Sequence, residues 1–168
     1  MIKLFRKLIY EIRLLFACNV QWKLKKGYTV TVGRRVSICP CKYIQLGNNV
    51  FIGDDVLIRT SESGQSPITI GNFVMIAARV MIIGGNHALG RTDVPIMSQG
   101  EGKQGPIIVE DDVWIGAGSI IISGTTIGKG SVIGAGSVVV GPIPEYSIAV
   151  GNPCRVVKNR LKTINEKS

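Results

Sequence analysis

An aliphatic side chain returns at every sixth position through most of this 168-residue chain. This spacing fits neither the 3.6-residue repeat of a helix nor the two-residue alternation of a long strand. A repeat of six predicts instead a short strand and a turn, stacked coil upon coil as a solenoid with one continuous aliphatic core. Two runs keep this register: Val109, Ile115, Ile121, Ile127, Ile133 and Val139, and Leu46, Ile52, Ile58, Ile70, Ile76 and Ile82.

The positions around each aliphatic also repeat. The next residue is usually small or acidic, which predicts tight corners where glycine adopts backbone angles that larger residues resist. The residue four places on is usually Val, Ser or Thr, as in Val50, Val113, Ser119 and Ser131. Three six-residue sides would complete one triangular coil, and each coil would cover the sheet edge of its neighbour.

This repeat resembles that of the hexapeptide-repeat acyltransferases. The resemblance implies an all-β solenoid, a left-handed parallel β-helix of hexapeptide repeats. The sequence adds an N-terminal helix, one extended loop and a short C-terminal helix. The expected segments are an amphipathic basic helix and lead-in at 1–28, the β-helix at 29–151 with its loop at 84–106, and a C-terminal helix and tail at 152–168.

The basic charge is confined to the start of the chain. Residues 1–42 carry ten basic side chains and one acidic one, which accounts for the whole net charge of +9. Apolar residues from Ile2 to Phe16 fall at helical spacing, so an amphipathic helix is predicted. Two roles stay open: a cap on the first coil, or peripheral contact with an anionic membrane through residues 1–16. No motif supports a nucleic-acid partner.

Composition points to the cytoplasm. No stretch reaches the roughly 18 consecutive apolar residues of a membrane span, and the start lacks the features of a signal peptide.

The hydrophobic fraction of 45% and the 21 glycines suit a thin β-solenoid. Small buried thiols in a reducing compartment are the expected role of the four cysteines, which are Cys18, Cys39, Cys41 and Cys154.

One stretch, 84–106, abandons the period. Ile82 and Val109 on either side of it are 27 positions apart, which is not a multiple of six. Long loops on rigid scaffolds usually carry function. This loop holds His87, the only histidine of the chain, and an imidazole accepts a proton near neutral pH without extreme tuning. His87 is therefore the candidate catalytic residue.

Further motifs strengthen the resemblance and give it a function. They are Asn86-His87, Val113-Trp114-Ile115-Gly116, the run from Ile133 to Val138, and Gly151-Asn-Pro-Cys-Arg-Val-Val-Lys. They resemble those of hexapeptide acetyltransferases that act on sugars, above all the maltose and galactoside acetyltransferases and the polysaccharide O-acetyltransferases. The resemblance implies acetyl-CoA as co-substrate, a saccharide acceptor, and His87 as the general base.

Carried over residue by residue, the resemblance also implies a cofactor-binding set. Ala117 and Ala135 match places where the backbone of stacked coils touches the pantetheine arm of acetyl-CoA. Arg155 and Lys158 match basic positions near the CoA phosphates, where a cation pairs with phosphate oxygens. The alternative for these two is a pair of solvated charges at a chain end.

Three residues are candidates for the substrate site. Asn86 precedes the base, and Trp114 matches an aromatic residue bordering the acyl-transfer site, unless it packs only on the solenoid surface. Asp93 orients the acceptor or the base, or forms a turn before Pro95.

The chain departs from the maltose and galactoside branch at two places. Val140-Gly141 stands where that branch usually has Thr-Lys, and the stretch from Leu57 to Gln65 lacks a clear equivalent of its acceptor-binding Asp and Asn. The acceptor is therefore expected to differ from the sugar of that branch.

The expected reaction is direct transfer of an acetyl group from acetyl-CoA to a saccharide hydroxyl, as in cell-surface polysaccharide or O-antigen biosynthesis. The alternatives are an N-acetyltransferase acting on an amino-sugar nucleotide, and a non-enzymatic binding solenoid. A cyclic homotrimer with active sites between subunits is expected. No metal is expected, because one histidine cannot supply the three-histidine zinc set of the carbonic anhydrases with this fold.

Overall fold

The computed structural model describes residues 8, 9, 12 and 25–165 of the chain. The predicted N-terminal amphipathic helix lies almost entirely outside the described residues, and so does Cys18. In the part that is described, no helix is long and apolar enough to cross a membrane.

Between residues 25 and 165, seventeen short strands form three sheets. The first sheet contains β1 (Lys25–Lys26), β4 (Ile44–Leu46), β7 (Ile68–Ile70), β10 (Ile107–Val109) and β13 (Thr126–Ile127). The second contains β2 (Thr31–Val32), β5 (Phe51–Ile52), β8 (Met75–Ile76), β11 (Trp114–Ile115), β14 (Val132–Ile133), β16 (Ser147–Val150) and β17 (Arg155–Asn159). The third contains β3 (Ser37–Cys39), β6 (Leu57–Arg59), β9 (Met81–Ile83), β12 (Ile120–Ile122) and β15 (Val138–Val139).

Neighbouring strands within a sheet are three elements apart along most of the chain, and their pairing is parallel. The chain therefore passes through the first, second and third sheets in turn and returns to the first sheet one coil further on. Register follows the repeat, so that Ile82 pairs with Ile58 on one side and Ile121 on the other. This arrangement matches a β-helix of hexapeptide repeats.

The predicted inward positions are confirmed. All twelve aliphatics of the two runs are buried, and the most exposed of them, Leu46, retains only 4% of its surface. The Val, Ser and Thr residues four places on are buried as well, whereas Glu62 and Asn86, which take that place after Ile58 and Ile82, are exposed. Ser119 and Ser131 donate to backbone carbonyl oxygens at 3.0 and 2.8 Å. These bonds compensate for taking the hydroxyl groups out of water.

The small residues after each aliphatic serve a purpose other than the predicted one. A Cβ at Gly116 would lie 2.6 Å from the backbone nitrogen of Ala135, one coil away. Positive φ angles occur two residues later instead, at Asn49 (55°) and Asp112 (58°) for example. Where glycine follows the aliphatic, as at Gly116, it is favoured because neighbouring coils approach closely and not because of its backbone freedom.

Both ends of the solenoid differ from the expected boundaries. Lys25–Lys26 already pairs with β4, since Lys26 lies six residues before the inward Val32 and occupies a repeat position without an aliphatic side chain. The helix expected directly after Pro153 is replaced by β17, which pairs antiparallel with β16, and the helix α1 occupies Arg160–Asn165. Strand β17 covers the edge that β16 would otherwise expose.

Candidate functional site

The excursion at 84–106 leaves the end of β9 and returns at β10, so it projects from the corner between the third and first sheets. Its two arms run antiparallel. Ala88 N–H donates to Gly100 O at 3.1 Å, and Gly102 N–H donates to Asn86 O at 3.0 Å. A one-turn 3-10 helix, Ile96–Ser98, lies near its tip. We call the paired arms, 86–88 and 100–102, the loop ribbon.

The base of the loop is fixed to the coils by hydroxyl groups. The buried Ser66 donates to Gly105 O at 2.6 Å, and its oxygen lies 2.9 Å from that of Ser123. Gly105 N–H donates in turn to Ser123 Oγ at 3.0 Å. These bonds tie the returning arm to two successive corners, so the ribbon starts from a defined position.

His87 and Asn86 lie together on the ribbon, and both side chains are exposed. The amide oxygen of Asn86 accepts the backbone N–H of His87 at 2.9 Å, while its Nδ2 donates to Lys103 O at 3.4 Å. Asn86 thus holds the two arms together. The imidazole of His87 is left at the surface of the loop, where it is accessible to a substrate.

Asp93 lies near the tip of the loop and pairs with Arg91, whose Nε donates to Asp93 Oδ1 at 3.0 Å. This hydrogen bond lowers the pKa of the Asp93 carboxyl group. Gln99 closes the same turn by donating to Arg91 O at 2.7 Å and to Val94 O at 3.2 Å. The partner that the structure gives to Asp93 is therefore a neighbouring guanidinium.

Trp114 is half exposed on the outer face of the second sheet, where it aligns with Met75 and Val132 of the adjacent coils. The loop leaves from the corner between the other two sheets. In a three-sided coil that corner lies opposite the second sheet, so one chain holds Trp114 and His87 on different sides of the solenoid.

Ala117 and Ala135 are stacked at the corner between the second and third sheets. Gly136 N–H donates to Ala117 O at 2.9 Å, which sets the two coils in register. A Cβ added to Gly118 or Gly136 would meet no atom within 4 Å. The outer surface of this corner is therefore open, and a long thin ligand can approach its backbone.

Arg155 and Lys158 are exposed on β17. Arg155 pairs with Val150 and Lys158 pairs with Ile148. Because Ile148 aligns with Val132 and Val132 with Trp114, Lys158 extends the outward row that contains Trp114. Arg155 thus lies beside the coil that follows Ala135, and Lys158 lies on the outer face of the second sheet.

Glu101 is not among the residues that the sequence predicts for the site. The structure pairs it with His87 across the ribbon, and Gln104 Nε2 donates to its Oε2 at 2.8 Å. The only sequence signal is the flanking Gly100 and Gly102, which indicates a turn-rich segment but not its partner. Antiparallel pairing inside a loop leaves no periodic trace, so this contact is visible only in the folded chain.

The comparisons with known proteins agree with this architecture. The family "Bacterial transferase hexapeptide (six repeats)" matches residues 106–141. A galactoside O-acetyltransferase of Lactococcus lactis is 33% identical over 151 residues, which cover 88% of this chain and 71% of that protein. A maltose O-acetyltransferase from Clostridium difficile has a similar structure, with a TM-score of 0.73 and 30% identity over 93% of this chain and 87% of that one. The chain therefore belongs to the hexapeptide-repeat acetyltransferase family.

Two further structures are similar. The hexapeptide-repeat acetyltransferase VCA0836 of Vibrio cholerae, solved with acetyl coenzyme A, has a TM-score of 0.74 and 27% identity over 94% of this chain and 88% of that one. The N-acyltransferase AntD of Bacillus cereus, solved as a point mutant with dTDP and coenzyme A, has a TM-score of 0.58 and 27% identity over 85% of this chain and 88% of that one.

Other relatives are longer than this chain. A "Probable acetyltransferase Rv3034c" of Mycobacterium tuberculosis is 41% identical over 117 residues, which cover 70% of this chain but 37% of that protein. The chain likewise spans 60% of a relative from Saccharomyces cerevisiae.

Proposed function

We propose that this protein is an acetyl-CoA-dependent O-acetyltransferase that acts on a hydroxyl group of a saccharide. The observation that carries the proposal is the exposed imidazole of His87, held on a paired ribbon whose base is anchored to the coils. A general base must be fixed in position yet open to its substrate. Membership of an acetyltransferase family supplies the class of reaction.

In the proposed mechanism His87 removes the proton from the acceptor hydroxyl, and the oxygen attacks the thioester carbonyl of acetyl-CoA. A backbone N–H of the loop or of a coil corner stabilises the oxyanion. The carbon–sulfur bond then breaks, and the imidazolium returns its proton to the departing thiolate. The transfer is direct, with no acetylated protein intermediate.

The donor site that we propose extends from the corner at Ala117 and Ala135 to the basic residues of β17. The open corner at Ala117 and Ala135 suits a pantetheine arm, since a Cβ added to the neighbouring Gly118 or Gly136 would still meet open space. The exposed Arg155 and Lys158 suit the phosphates of CoA. The similar structure from Vibrio cholerae, which holds acetyl coenzyme A, supports this choice of donor.

We propose a homotrimer because one chain does not bring its own candidate residues together. The loop leaves the corner between the third and first sheets, while Trp114 lies on the second sheet and the alanines lie at the corner between the second and third sheets. A neighbouring copy would complete the site by placing its loop beside this surface. Exposed apolar residues on the outer faces of the second and third sheets, among them Phe51, Met75 and Met81, also favour burial against other copies.

Three finer assignments belong to the same proposal: the left-handed sense of the coil, a place in cell-surface polysaccharide biosynthesis, and a cytoplasmic location. Contact of residues 1–16 with an anionic membrane stays a prediction from the sequence, because those residues are almost all outside the described part.

Replacing His87 with Ala tests the catalytic assignment. If His87 is the base, turnover measured by thiol release should fall roughly 10²- to 10⁴-fold. Acetyl-CoA should still raise the melting temperature of the variant, because a ligand that binds the native state stabilises it by mass action. Near-normal turnover would remove His87 from the mechanism. Absence of any acetyl-CoA effect on the wild-type protein would favour the non-enzymatic solenoid instead.

An N-acetyltransferase acting on an amino-sugar nucleotide is the second candidate function. The structural similarity to AntD, an N-acyltransferase solved with a nucleotide and coenzyme A, favours it. Thiol release measured in the same assay with saccharide and amino-sugar acceptors separates the two, since the acceptor that supports turnover identifies the group that is acetylated.

A further inference from the structure

The pairing of His87 with Glu101 has a specific geometry. The two backbone hydrogen bonds of the ribbon, Ala88 N–H to Gly100 O and Gly102 N–H to Asn86 O, lie on either side of this pair. The pair itself exchanges no backbone bond. In antiparallel pairs of this type the Cα atoms approach to roughly 4.5 Å, and the two side chains project from the same face.

The ribbon leaves little freedom to change this register. A Cβ on Gly102 would clash with the carbonyl oxygen of His87, so the arms are in close contact at this point. A shift by one residue would place a larger side chain there. The two side chains therefore start from facing backbone positions of the ribbon.

Hydrogen bonds also fix the side chain of Glu101. Its Oε2 accepts Gln104 Nε2 at 2.8 Å, and Gln104 Oε1 accepts the hydroxyl of Ser61 at 3.2 Å. Ser61 follows β6 in the preceding coil, so this chain of hydrogen bonds connects the carboxylate to the body of the solenoid. With Oε2 engaged, Oε1 is the oxygen that can face the imidazole.

We propose that Glu101 is the positioning residue of His87, an inference that rests on the proposed function. Oε1 accepts the N–H of one imidazole nitrogen and so directs the lone pair of the other nitrogen toward the acceptor hydroxyl. When His87 takes the acceptor proton, the carboxylate stabilises the imidazolium and remains ionised. The proton then passes from His87 to the CoA thiolate, so Glu101 neither gains nor loses a proton in the cycle.

Glu101→Gln is the sharpest test, because the new amide oxygen still accepts Gln104 Nε2 and preserves the ribbon. The expected result is a fall in kcat of roughly 10- to 100-fold, the range found when a residue that orients a histidine through its second ring nitrogen is replaced. The KM for acetyl-CoA should stay within about twofold, because Glu101 is not placed in the donor site. Glu145→Gln, the same change at an exposed corner of another coil, is the matched control.

A double-mutant cycle separates the outcomes. If Glu101 acts through His87, Glu101→Gln should cause no further loss in a His87→Ala background. Equal losses in both backgrounds would overturn the positioning role. If Glu101→Gln keeps its activity while His87→Ala loses it, the positioning role of Glu101 is overturned and the proposed function stands. A fully active His87→Ala enzyme would overturn the proposed function itself.

Discussion

At the scale of single residues, the corner between the first and second sheets is held by a ladder of side-chain amides and carboxylates. Asn48 Oδ1 accepts Tyr28 N–H at 3.1 Å, and Asn72 Oδ1 accepts Asn48 N–H at 2.9 Å. Asp111 Oδ1 accepts Asn72 N–H at 2.7 Å. Each side chain thus caps the backbone of the preceding coil and sets the distance between coils.

The last rung of this ladder makes stability depend on pH. The pKa of Asp111 is lowered from its ordinary value of 3.8. The main cause is the hydrogen bond from the backbone N–H of Asn72, and the second is the hydrogen bond from the Asn72 side chain. A carboxyl group whose pKa falls on folding stabilises the protein at pH values above its unfolded pKa. This contribution is lost as the pH falls from the unfolded pKa through the folded pKa. Asp111→Asn should therefore lower the free energy of unfolding by about 1 kcal/mol at neutral pH, and the difference from wild type should shrink below pH 3.8.

Urea denaturation over a pH series measures this difference. Asp112→Asn is the control, since it makes the same change on the adjacent, exposed side chain, and Asn suits the positive φ of that position. A pH-independent loss in Asp111→Asn would contradict the assignment.

Single residues also show what the sequence can and cannot predict. The isolation of His87 in a non-repeating loop identifies it as a candidate, and the structure places it on the exposed ribbon; its role stays a prediction. The pairing of Asp93 with Arg91 and of Glu101 with His87 arises from the fold of the loop itself. Such contacts depend on turn geometry, which no spacing of residue types records.

At the scale of strands, burial alternates along each three-residue segment. In β10, Ile107 and Val109 are buried, while Ile108 between them faces outward beside Thr69 and Thr126. The inward column gains stability from removing apolar surface from water and from close packing between coils. The outward residue gains much less of either.

Two neighbouring isoleucines therefore give a matched pair of variants. Ile107→Ala removes a fully buried side chain and should lower the free energy of unfolding by about 2–5 kcal/mol through lost burial and a cavity. Ile108→Ala makes the same chemical change on the outer face and should cost less than about 1 kcal/mol. Chemical denaturation at one protein concentration measures both. Equal losses would mean that the inward register is wrong.

The strands also show why the repeat could be predicted while its ends could not. Each coil is specified by its own six-residue sides, so the aliphatic period determines which side chains face inward in 44–58, 68–82 and 107–139. At both ends of the solenoid, the strands no longer carry an aliphatic residue at every sixth position. Lys26 occupies an inward register position without being aliphatic, and β17 runs antiparallel, a pairing that follows from covering an edge and not from the period.

At the scale of the whole molecule, the candidate residues belong to different corners of the solenoid. His87 belongs to the loop at the corner between the third and first sheets, whereas Ala135 lies at the corner between the second and third. If the site is shared between copies, the protein should sediment as a trimer of the 18.1 kDa chain. A monomer with full activity would remove the shared site.

Mixing two inactive variants tests the shared site directly. His87→Ala lacks the base, and Ala135→Trp should block the open corner where the pantetheine arm is proposed to lie. In a shared site, one subunit contributes residue 87 and its neighbour contributes residue 135. When both variants are co-expressed in equal amounts and assemble at random, each of these two residues is native with a probability of about one half, so both are native in about one quarter of the sites. Activity should therefore recover to about one quarter of wild type. If both residues came from one chain, every site would carry a defect and the mixture would stay inactive.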